Sequence, residues 1–169
     1  MIGVFKEQIV KRQPTAKDAL KRVGLVLAVV VLAIITLTFI PPFAPFIILG
    51  SGFGAWFLMG FLKVEYEYAF TDGELDIDII YNRSRRKRAF SAKVNDVEIM
   101  AHVEDRMRQG EFQGAAETLD YSSGVVGNET YAFLLNYKGK RTKVIIEPNA
   151  VMLKALATVL TRRRLHLKP

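Results

Sequence analysis

The side chains best suited to chemistry in this sequence are cations. The stretch RSRRKR puts Arg83, Arg85, Arg86, Lys87 and Arg88 within six positions, directly after the alternating segment DIDIIYN. A second group, Arg162, Arg163 and Arg164, stands close to the C-terminus. Cations at this density suit carboxylate or phosphate, and beside an anionic bilayer each contributes ~1 kcal/mol. The plainer reading of the first group is a solvated hairpin whose arginines pair with Glu74, Asp76 and Asp78, at ~0–1 kcal/mol a pair. For the second it is compensation of a helix dipole. Nucleic acid is not expected, because no continuous basic face accompanies the run.

Catalytic patterns are sparse. His102 lies near Asp105, but a lone histidine at a strand end serves structure more often than acid–base chemistry. His166 is isolated, there is no cysteine, and no metal-ligand spacing occurs. Ser122 and Ser123 have no nucleophile elbow around them. GSGFG, residues 50–54, sits in an apolar segment with no preceding strand, so it is no phosphate loop. No enzymatic activity, metal or cofactor is expected.

The cations depend on two kinds of element for their position. Between Arg22 and Lys63 run forty residues without Asp, Glu, Lys, Arg or His. A helix crosses the ~30 Å hydrocarbon core with about 20 apolar residues, so forty allow two crossings. Pro41, Pro42 and Pro45 interrupt the run near its middle, where they disfavour helix. We read residues 23–62 as a transmembrane hairpin with its turn at 41–45. Gly24 and Ala28, and Gly50 and Gly54, are spaced four apart. Small residues at that spacing allow close helix packing, within the hairpin or between copies. Ahead of it, residues 1–22 carry six Lys/Arg against Glu7 and Asp18, net +4. By the positive-inside rule they hold the N-terminus in the cytoplasm, and a hairpin returns the chain there. Ile2, Phe5 and Ile9 have helical spacing, so this segment either lies at the headgroups as an amphipathic helix or is a basic tail. Thr15 and Asp18 form a capping-box pattern that starts a helix leading into the bilayer.

From residue 63 to 169 the pattern is alternation. Asp72-Gly73 joins VEYEYAF to ELDIDIIY, and Lys138-Gly139 joins YAFLLNY to KRTKVII. Each is a two-residue hairpin signal. The second turn predicts Tyr131 opposite Ile146, Phe133 opposite Val144 and Leu135 opposite Thr142. Weaker strands are expected near 86–91, 97–103 and 115–121, with a loop or helical turn over 104–114. Pro148 opens a final amphipathic helix bearing Met152, Ala155, Leu156 and Val159 on one face. The expected domain has seven strands and one C-terminal helix.

That order resembles the pleckstrin-homology fold, a β-barrel or sandwich closed by a helix. With EQIVKRQPTAKD before the hairpin and VEYEYAFTDGELDIDIIYNRSRRKR after it, the chain resembles small membrane proteins of Gram-positive clostridial bacteria. In these a two-helix hairpin precedes a bacterial pleckstrin-homology-like domain, and no activity is assigned. The resemblance implies architecture over nearly the whole chain. Lipid-binding relatives in eukaryotes collect basic residues at the first hairpin loop, whereas Thr71-Asp72-Gly73-Glu74 is acidic, so a phosphoinositide site does not carry over. The expected role is a non-enzymatic, membrane-tethered interaction module of the bacterial plasma membrane, with both termini cytoplasmic. It would contact anionic lipid or an acidic protein partner. The alternative is an accessory subunit using the hairpin as its interface, and homo-oligomerisation stays open.

Overall fold

The computed structural model describes residues 5–160 and 165–166. The chain forms two compact units. One comprises residues 14–64 with 81–84. The other gathers residues up to Gln13, 65–80 and everything from Arg85 onward.

In the helical unit, α1 spans Ala16–Phe39 and α2 spans Ala44–Gly60. Thr15 caps α1 as expected. Its hydroxyl accepts from the Asp18 N–H at 3.3 Å, and the Asp18 carboxylate accepts from the Thr15 N–H at 3.0 Å. The helix therefore begins seven residues before the uncharged run and enters it unbroken. Pro41–Phe43 forms a single 3-10 turn. Pro45 lies not in the turn but in the first turn of α2, where its missing N–H would have had no helical partner anyway. Only 6 % and 11 % of the most apolar windows of the two helices are buried. A core helix of a water-soluble protein would be covered; these present Leu, Val, Ile and Phe outward.

The seam between the helices is lined by Val29, Ala33 and Thr36 on α1 and by Ala44, Ser51 and Ala55 on α2, with Thr36, Ala44 and Ala55 buried. Thr36 donates its hydroxyl back to the Leu32 carbonyl at 2.9 Å, so no polar group is left bare in the seam. Gly24, Ala28 and Gly50 are exposed, Gly54 is half-buried, and a Cβ built on any of the three glycines meets no atom within 4 Å.

The other unit consists of two sheets and α3, Ala150–Val159. The first sheet has the order β1-β2-β3-β4: Phe5–Lys11, Val64–Thr71, Glu74–Tyr81 and Arg85–Lys93. The second has the order β6-β8-β7-β5-β9, with β5 Val97–His102, β6 Glu117–Asp120, β7 Tyr131–Tyr137, β8 Lys140–Ile146 and β9 Leu165–His166. The seven expected strands are β2 to β8, and the register about Lys138-Gly139 is the one its alternation predicts. Residues 109–112 make a 3-10 turn in the expected loop.

Among the described residues, nine strands in two sheets replace the expected seven-stranded barrel or sandwich, and β1 is the larger correction. Residues 5–11 are neither an amphipathic helix nor a loose tail. They pair antiparallel with β2 from Phe5↔Thr71 to Lys11↔Glu65. Phe5 and Ile9 are four apart, a spacing that places two residues on one side of a helix and equally on one side of a strand. Ile2 lies outside the described residues. The apolar helical hairpin is thus inserted in the first connection of a sheet. The acidic Thr71–Glu74 connection, counted first from the sequence, is the second.

Tyr68, Phe70, Ile77 and Phe90 of the first sheet and Met100, Leu134, Leu135 and Ile146 of the second are almost wholly buried, joined by Met152 and Leu156 of α3. The Tyr68 hydroxyl ties the layers together. It donates to the Tyr121 carbonyl at 2.5 Å and accepts from the Glu147 N–H at 3.2 Å.

Candidate functional site: the basic strand and the ends of the membrane hairpin

Alternation in β3 puts Leu75 and Ile77 into the core and leaves Glu74, Asp76 and Asp78 on the outer face. The chain then reverses through Asn82 and Arg83, both left-handed at φ 48° and 55°. Two positive φ values give the type I′ turn that suits strand twist; asparagine accepts this readily, arginine less so. The basic run is therefore not the connection itself. Arg85, Arg86, Lys87 and Arg88 are the first four residues of β4.

The strand divides them. Arg86 forms an ion pair with Glu67 of β2, whose carboxylate is buried. Arg88 binds Asp76 at 2.6 Å and also Asp78 through Nε, and the hydrogen bond to Asp78 raises its guanidinium further above the ordinary range. These two arginines neutralise the acidic face of their own sheet, and Glu67 is a partner that sequence spacing did not reveal. Arg83, Arg85 and Lys87 are exposed. Arg162, Arg163 and Arg164 lie outside the described residues.

In the helical unit, the Asn82 N–H donates to the Lys63 carbonyl at 2.9 Å. A Cβ on Gly60, the last residue of α2, would come within 2.9 Å of the Asn82 side chain. The turn that leads into the basic strand is thus seated at the end of α2. Glycine at position 60 permits that approach.

The remaining polar candidates make local hydrogen bonds. The His102 Nδ1 accepts from the Glu104 N–H at 3.2 Å, which assigns the proton to Nε2, the donor to the Gly127 carbonyl at 2.9 Å. Asp105 accepts from the Met107 N–H and does not orient the ring. Ser122 donates to Asp120 at 2.6 Å, and Ser123 to Glu147 at 3.1 Å. Among the described residues no group of three or more His, Asp or Glu is placed to hold a metal ion.

Residues 3–165 match the family described as Bacterial PH-like domain (DUF6106). No curated protein and no solved structure matches the chain.

Proposed function

Because this chain belongs to the bacterial PH-like domain family, we infer a non-catalytic, membrane-anchored interaction module whose basic β4 strand contacts anionic lipid headgroups or an acidic protein surface. The observation that carries this reading is the pairing of β1 with β2 around the membrane hairpin. Two strands on either side of an apolar insertion hydrogen-bond only if both lie on one side of the bilayer, which favours two crossings over one. With Lys6, Lys11, Arg12, Lys17, Lys21 and Arg22 at that end, the side is the cytoplasm of a bacterial plasma membrane. The Gram-positive source suggested by the flanking motifs belongs to the same proposal.

The seating of Asn82 on Lys63 supports lipid as the first ligand to test. It holds the turn of residues 81–84, from which β4 continues, at the end of α2, where headgroups are concentrated. Lys63, Arg83, Arg85 and Lys87 then each contribute ~1 kcal/mol if the leaflet is anionic. The test is electron paramagnetic resonance of spin-labelled lipids on the full chain in vesicles. Phosphatidylglycerol should associate more strongly than phosphatidylcholine, less so in high salt, and less again in an Arg85→Gln/Lys87→Gln variant. Equal association of the two lipids in the unmodified protein would refute the lipid reading.

The open space beside Gly24, Gly50 and Gly54 favours a second reading, in which another membrane helix packs on the outer faces of the hairpin. The chain would then be an accessory subunit or a homo-oligomer. A Gly50→Leu/Gly54→Leu variant should lose co-purifying partners or change oligomeric state. An unchanged profile would remove that reading.

A further inference from the structure

The loop between β6 and β7 raises a different question. Its tip, Gly124-Val125-Val126-Gly127, exposes two adjacent valines at 57 % and 58 %. Single exposed apolar residues are ordinary, but solvent-facing turns draw on Asn, Asp, Ser and Gly rather than paired β-branched side chains. Nor is the tip loosely held. The Ser122 and Ser123 hydroxyls accept from the Gly124 and Val125 N–H groups at 3.2 and 3.3 Å. Ser123 is further bound by Glu147 through its N–H at 2.9 Å. On the other flank, Gly127 donates to the Thr130 hydroxyl at 2.8 Å, and its carbonyl receives the His102 proton. His102, Ser122 and Thr130 are buried polar residues with no catalytic arrangement, and their bonds hold the valines outward.

Two observations indicate what covers the tip. The Gln13 N–H donates to the Ser123 carbonyl at 2.7 Å, so the base of the loop is fixed to the segment that runs into α1. Two residues, Pro14 and Thr15, separate Gln13 from the start of that apolar helix. The register His102↔Tyr131 also brings the loop after β5 to the same end of its sheet, and that loop carries Met107, 91 % exposed, between Arg106 and Arg108. Apolar tips with arginine beside them, anchored to a chain about to enter a bilayer, have the composition of an interfacial contact.

We propose that the Val125–Val126 tip inserts into the interfacial region of the bilayer that holds α1 and α2, giving the folded domain an apolar foothold on lipid. This contact differs from the basic strand because it does not require anionic headgroups. The occupant is the lipid surface; a second copy of the chain or another protein is the competing outcome.

The chain contains no cysteine, so Val126→Cys introduces a single site for an environment-sensitive fluorophore. Lys140→Cys is the control, since the register Tyr137↔Lys140 puts it at the opposite end of β7 from Tyr131. The full chain is reconstituted in neutral phosphatidylcholine vesicles containing lipid brominated high on its acyl chains. We expect a blue-shifted, bromine-quenched signal at position 126 and a water-like, unquenched signal at position 140. A Val125→Asp substitution on an exposed residue should release the tip and abolish the quenching. Equal signals at both positions, a blue shift without bromine quenching, or quenching that survives Val125→Asp would each overturn the proposal. Neutral vesicles keep it separate from the anionic-lipid reading, which fails or succeeds on headgroup charge alone.

Discussion

If β1 completes the domain, the residue that shows it most economically is Gln8. Its side-chain amide donates to the Glu147 carbonyl at 2.7 Å, and its carbonyl oxygen accepts from the Asn149 N–H at 2.7 Å. Both ends of the amide are therefore used at the junction of β8 and α3, and Asn149 itself caps α3. Gln8→Ala removes two hydrogen bonds of ~0.5–1.5 kcal/mol each and leaves two backbone groups short of a partner. Because the site is partly covered rather than sealed, water relieves some of that loss, and we expect destabilisation of ~2–3 kcal/mol. A domain of about 100 residues loses at least ~4 °C of melting temperature per kcal/mol, so the fall should be ~8–12 °C. The readout is near-ultraviolet circular dichroism of the buried tyrosines, followed on heating the full chain in mild detergent. Glu7→Ala, on the exposed side of the same strand, is the control and should barely move the transition. If Gln8→Ala melts with the control, β1 is not an integral strand. The one-sided topology inferred from its pairing would then lose its support.

Two further outcomes follow from the same contacts. Burial is the main cause that holds the Tyr68 phenol protonated far above its ordinary range, and burial also pushes Tyr121 up to about 12. The unfolded chain releases such protons near pH 10 while the fold retains them, so stability holds below ~pH 10 and falls as pH rises toward 12. Denaturant titration at a series of pH values should display that fall, and Tyr68→Phe should flatten part of it while lowering stability at neutral pH. In the helical unit, Ala55→Leu forces a larger side chain into a buried position at ~1–3 kcal/mol. Gly50→Leu meets open space and should leave α1–α2 pairing intact. Distance measurements between spin labels on the two helices should widen for the first variant only.

Local order was readable wherever a residue's neighbours in sequence are its neighbours in space. The Thr15–Asp18 cap, the two long apolar helices and the proline-marked reversal depend on contacts a few residues apart. So does the Lys138-Gly139 register, because a two-residue turn leaves no freedom to slip. The basic run was equally visible, and so were Asp76 and Asp78 as arginine partners, which Arg88 takes. Glu67 was not, because it becomes the neighbour of Arg86 only once β2, β3 and β4 are side by side. For the glycines, spacing identifies one face of a helix without saying what that face meets.

Residues 5–11 mark the boundary most clearly. A spacing of four between Phe5 and Ile9 satisfies helix and strand alike, and what decides between them is a partner more than fifty residues away. The sequence by itself therefore determined that this chain has an apolar hairpin, alternating strands, a terminal helix and a concentration of cations, all from short-range periodicity and charge. Tertiary structure decided that the hairpin interrupts a sheet instead of preceding it. It also decided that Arg86 and Arg88 are consumed by the protein's own acids, and that a pair of valines is held out at the tip of the loop between β6 and β7. Each of those outcomes depends on long-range backbone pairing or on burial of one side chain by another, and neither leaves a periodic trace in the sequence.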